Sequence, residues 1–400
     1  MSCPEQIPSF SQDPRDPAFF RDPYPAYRHM RTYGDFVFWE DYGFPVATTH
    51  VAAGLVLRSP KLGREVPACR RPKITDEMAP FYAVERHSLL EIEPPKHTRL
   101  RQVAMQGFNR SSLAAMAPDI SRLADRLIDG FPGQPFDLLQ HFAQPLPAIA
   151  ITRFLGVDED HAAQFQSWSN DMVAMYQAHR EPDVGPKAAR AAADFSACLN
   201  QIIDAYSPTS NPGFLSSLIA AEKNGEIHSR DELISTVILL LNAGHEASVH
   251  TIGNSVRLLA GFPERALALE PTSITGTVEE CLRFSPPLHM FTRHVYDDAV
   301  ILGTKFKAGQ EVGALLGSAC HDDSVWPDGE HFDPFRPRRA HLAFGSGIHA
   351  CLGATLARLE LQIVLPILFS RCPGLTIVEP PEIADRYHFH GLDRLMVALR

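Results

Sequence analysis

Residues 344–358 read Phe-Gly-Ser-Gly-Ile-His-Ala-Cys-Leu-Gly-Ala-Thr-Leu-Ala-Arg, so one cysteine, Cys351, stands among Gly345, Gly347 and Gly353. Cysteine reacts and ligates as its thiolate, which is favoured where backbone N–H groups and the positive end of a helix converge. The apolar pattern that follows predicts such a helix, beginning at about residue 351 and running to about Phe369, with Cys351 at its entry. Glycines let a bulky ligand approach the backbone closely. A lone cysteine is otherwise a small core side chain; the glycines around this one favour a ligand.

A second constellation lies in a long helix. Ser229 and Glu232 form a capping box, and the apolar-rich run after them continues until Gly261 and Pro263. About thirty helical residues would span ~45 Å. The middle of that run is polar or small: Asn242, Ala243, Gly244, His245, Glu246, Ala247 and Ser248. One reading is close helix packing at Ala243 and Gly244 with a satisfied buried acid at Glu246. The other is a groove for a flat cofactor or its small ligand.

The remaining elements must hold these two segments. Asp22 and Pro23 predict a helix start, and 35–40 with 44–50 predict a hairpin around Gly43. Ile120, Leu123, Ala124, Leu127 and Ile128 recur at helical spacing and place an amphipathic helix before Gly130. Signals stay mostly helical to about residue 260, change after Pro287 to short β-like runs around 299–315, and become irregular over 322–340. With no repeat or linker, a single domain over residues 1–400 is expected, mainly α with small β-sheets. A chain of this length can enclose a large apolar or cofactor-sized object without metal or disulfide staples.

Composition narrows the function. The chain has 37 Lys plus Arg against 47 Asp plus Glu, a net −10, which argues against a nucleic-acid footprint over the whole surface. Its seven cysteines are scattered and never form a CxxC pair, which fits a reducing compartment. The first residues show no basic-then-apolar leader, and no apolar stretch reaches bilayer-spanning length, so a cytoplasmic protein without a membrane association is expected.

The Cys351 segment resembles the signature of the cytochrome P-450 family of haem-thiolate monooxygenases, Phe-Gly-x-Gly-x-His-x-Cys-x-Gly followed by Leu-Ala-Arg, at every position. The resemblance extends from about residue 20 to the end and implies the cytochrome P-450 fold. The haem would lie between the long helix and the helix after the cysteine loop. It also implies haem b with Cys351 as the axial thiolate, because a thiolate pushes electron density toward bound oxygen and favours O–O cleavage. Glu280 and Arg283 in VEECLRF match the family's Glu-x-x-Arg, with Arg336 as third member, in a structural role that holds the cysteine loop. His97, Arg101, Arg293 and His349 match partners of the haem propionates, for which the bland reading is a solvated basic face.

One position departs from the family. The long helix there carries Ala-Gly-x-(Asp or Glu)-Thr, acid and alcohol relaying protons to iron-bound oxygen; here Glu246 is followed by Ala247. A methyl group cannot donate a hydrogen bond. Ser248 is rotated ~100° from position 247, so water or a substrate hydroxyl is the expected substitute, with Ala243, Gly244, Glu246 and Ser248 as the oxygen-side residues. Asn242, His245 and His250 add polarity without an assigned facing. The resemblance places Leu241, Asn242, Leu288, His289, Phe291 and the stretch 387–390 with His388 along the substrate pocket, which would take a small or medium apolar organic molecule. His388 and His390 form an isolated HxH pair, insufficient for zinc.

No flavin or nicotinamide fingerprint is present, so electrons are expected from a separate ferredoxin and ferredoxin reductase. Lys96, Arg99, Arg338, Arg339 and Arg358 would contribute to a basic docking patch on an otherwise acidic monomer. Two other functions share the cysteine ligand: a peroxide-driven haem enzyme and a non-catalytic haem-thiolate sensor or ligand carrier. The acid at Glu246 favours the oxygen-activating monooxygenase.

Overall fold

The computed structural model describes residues 7–177, 180–207, 213–384, 387 and 389–399. The chain forms two compact units. The first gathers residues 1–71, 253–351 and 380–395 and contains most of the β-structure. Its six-stranded sheet runs Ser9–Phe10, Phe36–Trp39, Phe44–Ala47, Glu311–Leu315, Met290–Val295, Leu62–Gly63. The predicted hairpin is there, Phe36 opposite Ala47 and Trp39 opposite Phe44, with Gly43 at φ +72° in the turn. Bulky β-formers build these strands, and Trp39, Tyr27, Met30, Val37 and Val46 are fully buried beneath them.

The helix expected from Asp22 is Tyr24–Thr32, with Pro23 at its N-cap and no side-chain cap from Asp22. A short helix the sequence reading did not single out, Pro17–Arg21, precedes it, capped by Asp16, whose carboxylate accepts from the Ala18 N–H, and ended by Asp22. The β-structure expected after Pro287 begins with Met290–Val295, a strand of six residues. Its Thr292, Arg293 and His294 hide the alternation that sequence reading relies on.

The second unit gathers residues 72–252, 352–379 and 396–400 and is helical apart from a three-stranded sheet of Leu375–Ile377, Met396–Leu399 and Phe136–Asp137. The helix Arg110–Asp129 buries Ile120, Leu123, Ala124 and Ile128, as its spacing predicts, and ends at Gly130. It packs on the helix Ala354–Arg371. Arg371 ties the pair with bonds of 2.8 Å to Asp125 and 2.5 Å to Asp129.

The long helix runs Arg230–Ala260, 31 residues, and its residues up to 252 belong to the second unit. Half of the capping box forms: the Glu232 N–H donates to Ser229 Oγ at 3.3 Å. The Glu232 carboxylate instead accepts from the His228 N–H at 2.9 Å and from both Arg99 Nη atoms at 2.9 and 2.8 Å. Burial alone would raise this carboxyl, but the Arg99 fork and the His228 N–H outweigh it and take the pKa down to about 2.

Its unfolded value is near 4.3, so the stability carried by this pair is complete above that pH and drains as pH falls toward about 2. Chemical denaturation of the parent and Glu232→Gln across pH 2–7 should show a gap of about 3 kcal/mol near neutrality that closes on acidification. A gap independent of pH would refute the pairing.

Candidate active site

The cysteine loop is a self-contained part of the first unit. The Cys351 N–H donates to Phe344 O at 2.9 Å, the Gly345 N–H to Leu342 O at 2.8 Å, and the Ala350 N–H to Gly347 O at 3.1 Å. Gly345 and Gly347 take φ +67° and +78°, left-handed values that exclude most side chains. A Cβ on Gly347 would lie 2.5 Å from Leu57 O. From the neighbouring helix His50–Arg58, Arg58 Nη1 donates to Ser346 Oγ at 3.1 Å. The helix after the loop begins at Ala354, three residues later than expected, so Cys351 belongs to the loop and its own N–H is committed there.

Within this frame the Cys351 side chain is exposed, whereas Cys281, Cys320 and Cys372 are buried. Burial pushes the thiols of Cys281 and Cys320 up to about 12, which makes them inert. Cys69 is exposed as well; what sets Cys351 apart is the frame of positive-φ glycines around it.

Behind the loop sits the Glu280, Arg283, Arg336 cluster. On the helix Ile274–Phe284, Arg283 Nε and Nη2 each donate to the Glu280 carboxylate at 2.7 Å, both side chains being almost fully buried. Arg283 Nη1 continues to Cys320 O at 2.7 Å and Gly329 O at 2.8 Å. Arg336 Nε stands 3.6 Å from Glu280 Oε1, and its Nη2 donates to Asp328 O and His331 O at 2.9 and 3.0 Å. Cys320 Sγ in turn receives the backbone N–H groups of Leu342 and Ala343, where the cysteine loop starts. Sequence reading missed a second tie: His341 Nδ1 accepts the Ala343 N–H at 3.2 Å while Nε2 lies 3.2 Å from Glu279 Oε2.

Of the expected propionate partners, the first unit carries Arg293 and His349. Arg293 is buried on its strand and donates to Thr292 O at 2.9 Å; His349 is half-buried in the turn Gly347–His349. The second unit carries His97, buried, and Arg101, half-buried, one turn apart on the helix Lys96–Gly107.

The middle of the long helix answers to both readings of its sequence. Ala243 is exposed and Gly244, Ala247 and Ser248 are half-buried, while Leu241, Asn242, His245, Glu246, Val249 and His250 are buried. Small residues at i, i+1, i+4 and i+5 make one accessible strip on a helix otherwise packed in the core. Gly244 also serves packing, since a Cβ there would lie 3.1 Å from Ile151 Cγ1 of the helix Pro145–Leu155. Glu246 borders the strip, with its Oε1 3.4 Å from His250 Nε2. Burial lowers His245 to about 4, so its imidazole is neutral near pH 7.

Most of the expected pocket residues are buried. Ser169 Oγ donates to Asn242 Oδ1 at 2.5 Å and Asn242 Nδ2 faces Met172 Sδ at 3.8 Å, because a buried amide must find polar partners. Leu241 is core, 2% exposed. His289 is fully buried, its Nδ1 2.9 Å from Tyr27 Oη and its ring 4.5 Å from that of His390. Leu288 and Phe291 remain half-buried, Leu288 bridged to Phe389. His388 lies outside the described residues. The basic patch is also thinner than expected, since Arg99 is spent on Glu232 and Lys96 Nζ is held 2.9 Å from Arg86 O and 2.7 Å from His87 Nδ1.

A family profile for cytochrome P-450 matches residues 274–385, the stretch holding the buried Glu280 cluster and the cysteine loop. The chain is 34% identical over 342 residues to cytochrome P-450 107B1 of Saccharopolyspora erythraea, covering 84% of this chain and 81% of the relative. The chain is a cytochrome P-450.

To the 6-deoxyerythronolide B hydroxylase of the same organism this P-450 is 34% identical, over 77% of its own length and 76% of the relative. The crystal structure of P-450BioI in complex with hexadec-9Z-enoic acid ligated acyl carrier protein superposes with a TM-score of 0.88 at 28% identity, covering 96% of this chain and all of that one. Members of the family are monooxygenases that carry haem b on a cysteine thiolate. The residues of the cysteine loop fit that group: an exposed cysteine on a loop cradled by positive-φ glycines. Among the described residues no helix is long and apolar enough to cross a membrane.

Proposed function

We propose that this P-450 inserts one oxygen atom from O2 into a small or medium apolar organic molecule, with electrons from a separate ferredoxin and its reductase. The observation that carries the reading is Cys351, accessible on a loop closed by its own backbone bonds. In this reading Cys351 ligates the iron, and His97, Arg101, Arg293 and His349 meet the propionates. Glu280, Arg283 and Arg336 hold the chain that leads into the loop. The haem supplies oxygen activation; the protein supplies the ligand, a dry setting and protons.

Proton supply falls to Glu246 at the edge of the strip formed by Ala243, Gly244, Ala247 and Ser248. A hydroxyl at 247 is missing, so water or the substrate completes the path. The names of the relatives and the acyl ligand of P-450BioI support an apolar substrate with a few oxygens, free or carried. We place the enzyme in the cytoplasm as a single-domain monomer.

Reduced protein mixed with O2 should consume it continuously with NADPH, a surrogate ferredoxin and ferredoxin reductase, and only slowly when any one is left out. Product formed from peroxide alone at an equal rate would favour the peroxide-driven reading. With a turned-over substrate, Ala247→Thr should raise product formed per reductant consumed; a tightly coupled parent that the substitution leaves unchanged would show that proton supply is already complete.

A further inference from the structure

The acid on the long helix has a partner that the sequence pattern gave no facing. His250 follows Glu246 by one helical turn, and its Nε2 lies 3.4 Å from Glu246 Oε1 with the two side chains 4% and 11% exposed. Both side chains lie on the flank of the helix next to the strip at Ala243 and Ala247, the acid being the slightly more accessible of the two.

The alcohols nearby are otherwise engaged or misplaced. Thr251 Oγ1 donates to Ala247 O at 2.6 Å, and Ser248 points ~100° away from position 247. A buried carboxylate needs donors to hold one rotamer, and an imidazole ring offers an N–H donor.

We propose that His250 is a positioning residue for Glu246, closing Nε2–H onto Oε1 and taking the orienting part that the absent hydroxyl at 247 would play. The inference rests on the proposed proton-supplying role of Glu246. At 3.4 Å the contact is longer than a closed hydrogen bond, as expected of catalytic contacts that tighten in the working complex.

The test uses the haem-loaded enzyme and the variants Glu246→Gln, His250→Leu and His250→Gln. Two readouts are taken: the infrared stretch of CO bound to the reduced protein, which senses polar groups over the strip, and the rate of O2 consumption with the surrogate ferredoxin system. His250→Leu should shift the CO band in the same sense as Glu246→Gln and slow O2 consumption roughly tenfold, whereas His250→Gln, which keeps a donor, should stay near the parent.

His250→Leu at parent values in both readouts, or His250→Leu and His250→Gln shifted alike, would overturn the proposal; the second result means packing alone. Glu246→Gln that moves the CO band yet leaves O2 consumption unchanged would remove the proton role of Glu246 while keeping the His250 contact. Circular dichroism on each variant confirms the fold.

Discussion

Cys351→Ala should leave a folded protein whose dithionite-reduced form no longer gives a strongly red-shifted Soret band with carbon monoxide, and whose reductant-driven O2 consumption falls to background. The expected cost in stability is small. The side chain is exposed, and the loop is held by the backbone bonds of Cys351, Gly345 and Ala350, which alanine keeps. Exposed substitutions that break no cap, cavity or buried bond usually stay within about 0.5 kcal/mol.

Any loss therefore reports chemistry and not collapse. The thiolate raises electron density on iron and favours O–O cleavage, an effect a methyl group cannot imitate. Cys281→Ala is the matched control, since burial holds its thiol up to about 12 and out of reach. It should keep the red-shifted band and lose stability instead. A red-shifted band surviving in Cys351→Ala, or lost in a stable Cys281→Ala, would transfer the ligand role.

How much of this was legible beforehand depends on whether a feature is local. The cysteine loop is a contiguous pattern, and positive φ at Gly345 and Gly347 is what its glycines imply. The amphipathic helix before Gly130 and the hairpin around Gly43 follow from periodicity and turn chemistry for the same reason. Pairings between distant segments are different. Nothing near Arg99 announces that it will neutralise Glu232, and nothing near His341 announces Glu279. Asn242 and His289 were polar in apolar neighbourhoods, which is equally the mark of a pocket and of a buried hydrogen bond. The partners themselves, Ser169 and Tyr27, lie far away in sequence.

The largest stability effect should come from Arg283, because its guanidinium has the most to lose. Its three nitrogens serve both Glu280 oxygens and the carbonyls of Cys320 and Gly329, and the charge lies 5.6 Å from the ring of Phe284 and 5.5 Å from that of Trp326. Removing one member of a buried pair costs about 3–5 kcal/mol, since the other charge is left unsatisfied.

Lysine keeps the charge but is a point donor without the planar fork, so Arg283→Lys should already forfeit most of that and lower Tm by roughly 4 °C. Arg336 is the contrast. It stands 3.6 Å from Glu280 and binds carbonyls of the 327–331 segment, so Arg336→Lys should cost about 1 kcal/mol.

The two substitutions also separate stability from positioning. The Arg283 bond to Cys320 O lies one residue-width from the Cys320 Sγ that receives the Leu342 and Ala343 N–H groups, so a shift there is passed to the start of the cysteine loop. In Arg283→Lys that remains folded at low temperature, part of the carbon monoxide signal should therefore move from the red-shifted position to that of a neutral-ligand haem. Arg336→Lys should move less of it. Equal Tm losses with no change in the band for either variant would make the cluster a stabiliser of the fold alone.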